Sequence, residues 1–365
     1  MTDSTPERPS WGQFLKRALK PLLIFIVVLG IGQSVRLAWN DLQTTQTKAY
    51  ERIISLQKQV VDASPGKKAT IEIEIMAIEK SLFSLRKIRW GIASWSIVFA
   101  FLALLPAAFY WWLTLRCFGY PVPAVATFAS YASGILGKYV PGKAMVLILR
   151  SGAMQQFGVP ISTTIVSIFI ETFTSLAVGG ALGAITVTAL QPPTWLFWTA
   201  VCVAVIALVP TIPPFFRRAL EILTRYRHLR IPKKLASAMS WRLVASGWIL
   251  FFISWILMGS SLWVLCEAIR NSMNADSTDV AITTVSSLRL WWICVSATCI
   301  GFVIGFVSML PGGAGVREVV VTMLLAPVIG YAPALAAAVL YRIVNLVAEL
   351  LLTGVTWLLN RTVTK

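Results

Sequence analysis

The sequence predicts an all-α, polytopic helical membrane protein with seven to eight spans, two segments broken by Pro-Gly and an internal repeat. Of its 365 residues, 57% are apolar and only 13% are charged, which is about half the charged share of a soluble domain. Several apolar runs also approach or exceed the ~20 residues that a helix needs to cross a bilayer. A soluble helical protein, the alternative, would need a polar face on every helix.

Seven apolar runs are the predicted spans. In chain order they are Pro21–Trp39, Gly91–Leu115, Ser162–Leu190, Trp195–Phe216, Leu243–Leu265, Leu290–Leu310 and Pro333–Leu359. The first run follows several basic residues but lacks a small-residue cleavage site, so we expect a retained span rather than a signal peptide. The predicted organisation is a basic cytoplasmic N-terminus over residues 1–20 and a single membrane domain over residues 21–365.

Basic residues set the predicted orientation. The formal net charge is +17, and residues 217–242 hold eight basic side chains against one acidic side chain. This asymmetry places the N-terminus and the 217–242 loop in the cytoplasm, with residues 40–88 and 268–289 outside. We expect contact with a membrane and its anionic headgroups but no nucleic-acid partner, because the loop is too short for a folded basic domain.

The outer segment over residues 40–88 is less apolar than the spans. Its apolar residues recur at intervals of three and four, the helical period, and "ASPGK" at residues 63–67 supplies a turn between two helices. We therefore expect an external helical hairpin. It either packs on itself or docks an enzyme of the cell envelope.

Two stretches share an order of features that indicates a duplicated unit. They are "YVPGKAMVLILRSGAMQQFGVP", residues 139–160, and "LPGGAGVREVVVTMLLAPVIGYAP", residues 310–333. Each has a Pro-Gly break, a cation, a short apolar stretch and a second Gly and Pro before a long helix with one ionisable group. A repeated, interrupted hydrophobic segment is typical of binding sites in transporters.

The two breaks predict re-entrant half-helices over residues 143–157 and 316–329, both too short to cross a bilayer. A helix N-terminus binds anions through its free N–H groups and partial positive charge. The expected ligand is the phosphate of a lipid headgroup, and the alternative is an interfacial turn with snorkelling lysines. The candidate substrate-binding residues at the breaks are Lys138, Pro141, Gly142, Lys143, Arg150, Pro311, Gly312, Gly313, Arg317 and Glu318.

Two ionisable residues within the long helices complete the candidate site. Glu171 and Arg342 lie about a third of the way along their spans, where an unpaired charge costs about 2.5–3.5 kcal/mol. Arg342 shares a helix face with Asn345 and Glu349. We expect Glu171 to pair with a cation of the other repeat, Arg342 or Arg317, either beside a headgroup cavity or as a structural ion pair.

These residues resemble the transmembrane, flippase-like family of the lysylphosphatidylglycerol synthases. "GKYVPGK" at residues 137–143, followed by Arg150, is similar to the first Pro-Gly motif of the family, and "LPGGAGVRE" is close to its second and more specific motif. Glu171 and the "YR" at residues 341–342 look like its intramembrane acid and late arginine. The similarity covers most of residues 90–360.

The resemblance implies a membrane-embedded lipid translocator without its own ATPase. Full-length synthases carry a soluble C-terminal aminoacyl-transferase domain, whereas this sequence ends at Lys365 directly after a span, so we expect no aminoacylation of lipid. The 40–88 segment is longer than the resemblance implies.

Three functions compete. The first is a flippase or scramblase for an anionic phospholipid or a polyprenyl-phosphate-linked lipid, in the inner or plasma membrane. The second is an accessory protein that recruits an envelope enzyme. The third is a glycosyltransferase, which is disfavoured because "DSTD" at residues 276–279 lacks catalytic context. The five cysteines have no metal-ligand spacing and His228 is the only histidine, so we expect no metal, no cofactor and no enzyme activity.

Overall fold

The computed structural model describes residues 40, 43–44, 47–60, 64–81, 88–139, 144–187, 194–227, 235, 238–274 and 285–363. Every regular element within these ranges is a helix, which confirms the predicted all-α class. In chain order the helices are α1 (residues 47–60), α2 (Pro65–Ser81), α3 (Trp90–Cys117), α4 (Ala124–Ile135), α5 (Ala144–Gln155), α6 (Ile161–Val187), α7 (Thr194–Leu208), α8 (Pro213–Arg227), α9 (Trp241–Asn274), α10 (Ser287–Val307), α11 (Val316–Ile329) and α12 (Tyr331–Val363).

Five of these helices are long and apolar enough to cross a membrane. They are α3, α6, α9, α10 and α12, and the number rises to six if the bent pair formed by α7 and α8 is counted as one span. Large apolar side chains remain exposed on their outer surfaces, including Ile185 at 71% and Ile249 at 62%, as expected of surfaces that face lipid. The protein is therefore a multi-pass membrane protein, in approximate agreement with the predicted number of spans. The predicted span Pro21–Trp39 lies outside the described residues.

The predicted span Trp195–Phe216 is not one straight helix. The chain bends by 73° between α7 and α8, where Pro213 and Pro214 lack the N–H groups that a continuous helix would need. After the bend, residues 217–227 continue as helix, although they were predicted to lie in a loop. Phe216 is buried while Arg217 and Arg218 are exposed, so α8 is amphipathic and suits a membrane surface.

Two units of three helices have the same order, which agrees with the predicted duplication. Repeat 1 consists of α4, α5 and α6, and repeat 2 consists of α10, α11 and α12. Each has a first helix, a 3₁₀ turn, a short helix and a long helix. Packing between the repeats is reciprocal: α6 packs against α10, and α12 packs against α4. An approximate two-fold axis between the repeats would produce this exchange.

The short helices α5 and α11, here called the half-helices, begin just after the two Pro-Gly breaks. They contain 12 and 14 residues, so they are about 18 and 21 Å long and fall short of the ~30 Å hydrocarbon core. The second break is built on glycine, because Gly312, Gly313 and Gly315 have φ values of 59°, 69° and 81°, which other residues rarely adopt. Both half-helices match the segments predicted to be re-entrant.

Helices α1 and α2 come before α3 in the chain. Nη2 of Arg52 on α1 donates a hydrogen bond to Oε1 of Glu74 on α2 at 3.1 Å, so the two helices lie side by side. Ile53 and Leu56 are buried. The location of this hairpin outside the membrane, and its docking role, stay predictions.

Candidate functional site

A cavity of about 490 Å³ lies between the two repeats. The 3₁₀ turns Leu136–Tyr139 and Pro311–Gly313 contact each other beside it. Its charged lining residues are Lys138, Arg150, Glu171, Arg317, Glu318, Arg342 and Glu349, and Gly312 and Gly313 line it as well. The structure thus brings together residues that the sequence predicted from both repeats. The predicted residues Pro141, Gly142 and Lys143 lie outside the described residues, and Pro311 opens the second turn.

In repeat 1, Arg150 lies on the half-helix α5 and is closely packed by Tyr131, Trp111 and Gly134. Its guanidinium carbon lies 4.2 Å from the centre of the Tyr131 ring and 4.9 Å from that of Trp111. Its aliphatic stem crosses Gly134, where an added Cβ would lie 2.4 Å from Cγ of Arg150. The guanidinium forms an ion pair with Glu171 on α6. Arg150 is only 3% exposed, so the carboxylate of Glu171 compensates a buried charge.

In repeat 2, Arg317 lies in the first turn of α11 and is likewise packed between an aromatic ring and a glycine. Its guanidinium carbon lies 4.5 Å from the centre of the Phe302 ring. A Cβ added to Gly305 would lie 2.6 Å from Cγ of Arg317. The neighbouring Glu318 pairs with Arg342 on α12. Within the described part of the chain Arg317 forms no ion pair, and its buried Nε has no hydrogen-bond partner.

The aromatic residues beneath the two arginines were missed in the sequence. Tyr131 precedes Gly134 by three residues, and Phe302 precedes Gly305 by three residues, so each aromatic ring and its glycine lie on one helix face. "YASG" ends seven residues before Pro141, and "FVIG" ends six residues before Pro311. This shared spacing was the signal that could have identified them.

The predicted pairing of Glu171 with Arg342 or Arg317 is wrong. Glu171 pairs with Arg150, and Arg342 pairs with Glu318. In both repeats the partner lies on the half-helix that precedes the long helix and packs against it. The signs of the charges are reversed between the two repeats. The long helix α6 carries the acidic residue of its pair, whereas the long helix α12 carries the basic residue.

Among the described residues, one ion pair joins the repeats. Lys138, in the first 3₁₀ turn, pairs with Glu349 on α12. Next to it, a Cβ on Gly312 would lie 3.2 Å from Cδ1 of Tyr139, so the two breaks are in close contact. The sequence placed Glu349 on the face of Arg342 but did not include it in the site, because nothing local to the last helix indicates a partner in the first break.

The remaining walls of the cavity are largely apolar. Phe169, Phe251 and Met309 are among the lining residues, and Phe169 and Met309 are also 48% and 63% exposed. The cavity therefore reaches the outer surface of the protein. Phe169 lies on α6, a helix of membrane length, so we expect this side of the cavity to face the acyl chains of the bilayer.

These features define a class: a multi-pass helical membrane protein in which two broken-helix repeats enclose a charged cavity. A family model described as the lysylphosphatidylglycerol synthase TM region matches residues 76–352, well over half of the chain. The chain therefore belongs to this family, as its motifs predicted. The match begins within α2 and ends within α12, so it covers repeat 1 and all of repeat 2 except the end of α12. None of the curated proteins compared with the chain matches it.

Proposed function

We propose that this protein moves a lipid with an anionic headgroup between the leaflets of the cell membrane. The observation that carries the proposal is Arg317, a guanidinium fixed in the cavity without an anion among the described residues. Arg317 is only partly exposed, and a charge with little access to solvent is unfavourable without a partner. A headgroup phosphate would supply the missing anion and accept two parallel hydrogen bonds from the guanidinium.

The backbone around Arg317 favours the same ligand. Arg317 and Glu318 stand in the first turn of α11, whose first N–H groups have no partners within the helix. The N-terminus of this 14-residue helix borders the cavity and adds a partial positive charge. Side chain and backbone therefore both favour a phosphate at one point.

Lateral access suits a lipid better than a soluble ion. Exposed lining residues such as Phe169 and Met309 connect the charged interior to the surface that faces acyl chains. A lipid could place its headgroup in the cavity while its chains stay in the bilayer. The name of the family refers to a lipid as well. We propose transport rather than catalysis, because the charged lining residues that the structure describes form ion pairs, with Arg317 left unpaired among them.

Reconstitution of the purified protein tests this function. In phosphatidylcholine vesicles that contain fluorescent phosphatidylglycerol, we expect the protein to expose inner-leaflet label to an external quencher. Arg317→Ala should slow this exposure by about tenfold or more, and Arg317→Lys should restore only part of it, because ammonium acts as a point charge. Arg116→Ala is the matched control, since Arg116 also stacks on an aromatic ring, Trp112, but is exposed and outside the cavity.

Two outcomes would count against the proposal. If wild-type vesicles behave like protein-free vesicles with phosphatidylglycerol and with a labelled polyprenyl phosphate, lipid translocation is wrong. If Arg317→Ala transports at the wild-type rate at equal incorporation, the headgroup does not bind at Arg317.

A further inference from the structure

Arg150 and Arg317 are packed in a similar way in the two repeats, although Arg150 is the seventh residue of α5 and Arg317 is the second residue of α11. Each stacks on an aromatic ring and lies against a glycine three residues after that ring. Of the two, only Arg150 has an anion among the described residues, the carboxylate of Glu171. On the basis of the proposed function, we propose that Glu171 is an internal counter-anion that restricts the cavity to headgroups with a single negative charge.

The charge balance of the lining supports this restriction. The described lining residues include four cations (Lys138, Arg150, Arg317 and Arg342) and three carboxylates (Glu171, Glu318 and Glu349). Each carboxylate pairs with one cation, so one positive charge, on Arg317, is left over. A phosphodiester brings one negative charge, whereas a phosphomonoester carries about −1.5 to −2 at pH 7. Only the diester would leave the described lining neutral, and excess charge in a low-dielectric site is costly.

The pair of Arg150 and Glu171 in repeat 1 therefore resembles Arg317 with a bound anion. Its guanidinium, stacked on Tyr131, already has an oxyanion, which is covalently part of α6. Among the described residues repeat 2 has no equivalent, because the corresponding part of α12 carries the cation Arg342, which is bound to Glu318. On this proposal, the anion on Arg317 comes from another molecule. Without the carboxylate of Glu171, the cavity would offer two free guanidinium groups packed in a similar way.

The test compares two lipids that differ in phosphate charge. Labelled phosphatidylglycerol, a phosphodiester, and labelled phosphatidic acid, a phosphomonoester, are placed in separate phosphatidylcholine vesicles at about pH 8. The measured quantity is the ratio of their translocation rates, because a general loss of stability lowers both rates together. We expect the wild type to favour phosphatidylglycerol. Glu171→Gln should shift the ratio towards phosphatidic acid by about tenfold, as expected for one added charge-assisted hydrogen-bonding group.

A double variant provides the matched control. Glu171→Gln combined with Arg150→Gln removes the carboxylate and the cation together, so the preference for phosphatidylglycerol should return. If Glu171→Gln does not insert, the wild type still decides the question, because equal rates for the two lipids would overturn the inference. An unchanged ratio in an inserted Glu171→Gln protein would also overturn it while leaving lipid translocation intact. Failure of the wild type to move either lipid would instead contradict the proposed function.

Discussion

Arg150 and Glu171 form the most deeply buried ion pair within a repeat, with side chains 3% and 11% exposed. Loss of one member leaves the other charge without compensation in a low-dielectric environment, which typically costs about 3–5 kcal/mol. Loss of both removes the desolvation cost together with the attraction. The pair is therefore a case in which two changes should be less harmful than one.

We expect Arg150→Gln and Glu171→Gln each to lower the thermal stability of the protein in detergent. The double variant should recover part of this loss. Unfolding followed by tryptophan fluorescence or by aggregation in the four proteins of the cycle measures the coupling. Strictly additive losses would show that the two side chains do not interact.

A second cycle is a control for the first. Glu171 and Arg342 were predicted to pair, but each has its own partner on a half-helix. The losses from Glu171→Gln and Arg342→Gln should therefore add, because each change leaves a different residue unpaired. Recovery in this double variant would restore the pairing predicted from the sequence.

The sequence identified the charged residues better than it identified their partners. Glu171, Arg317 and Arg342 were recognisable because charges are costly in an apolar helix. Helical spacing shows which side chains share a face, but it does not show which helix packs against that face. The nearest cation to Glu171 was on the neighbouring half-helix, where Arg150 had been assigned to a separate phosphate site.

Two glycines on neighbouring helices make room for the arginines of the half-helices. Gly305 lies on α10 and Gly134 lies on α4, each facing the stem of the arginine that follows the break. A methyl group at either position would overlap that stem. The close approach of a long side chain to a helix backbone is therefore part of the site.

Gly305→Ala should displace Arg317 from Phe302, because the new Cβ would lie 2.6 Å from Cγ of the arginine. Such overpacking typically costs about 1–3 kcal/mol, and we expect lipid translocation to fall by about tenfold if the arginine leaves this position. Gly354→Ala on α12 is the matched control, since an added Cβ there meets no atom within 4 Å. Reconstituted translocation at equal incorporation is the measurement.

Gly305→Ala and Gly354→Ala should change the stability of the protein by different amounts and in opposite directions. Replacement of a helical glycine by alanine otherwise stabilises a helix by about 0.5–1 kcal/mol, so Gly354→Ala should be neutral or slightly stabilising. Equal behaviour of the two variants would mean that Gly305 has no special role.

A helix could be predicted from the sequence where a single physical requirement, such as the length needed to cross a bilayer, decides its position. The length of an apolar run identified α3, α6, α9, α10 and α12, and the Pro-Gly breaks identified both half-helices. The bend between α7 and α8 was missed, although Pro213 and Pro214 mark it. Hydropathy continues across these prolines, and it alone does not distinguish a straight span from a bent one.

At the scale of the whole molecule, the charge distribution predicts which parts of the chain face each side of the membrane. The basic segment 217–242 should be cytoplasmic and residues 268–289 external. In a background without the five native cysteines, Arg230→Cys should react with a membrane-impermeant thiol reagent only from inside. Asp276→Cys, the control, should react only from outside. Reaction of position 230 from outside would reverse the predicted orientation.

The sequence predicted the duplication but not how the copies pack. Similar motifs in the same order indicated two units, and the reciprocal contacts of α6 with α10 and of α12 with α4 agree with that prediction. The motifs are short and local, so they contain no information about the exchange of long helices. Lys138 and Glu349 illustrate the point, because their pairing depends on that exchange.

Reciprocal packing also determines the order in which the protein can be completed during synthesis. Lys138 and Glu349 are separated by 211 residues, and α4 gains its contacts with α12 only when α12 has been inserted. Contacts between distant segments form late, because the intervening chain must first be brought together. Repeat 1 thus enters the membrane with an uncovered face, and this interval is when a nascent chain is most open to mispairing and degradation.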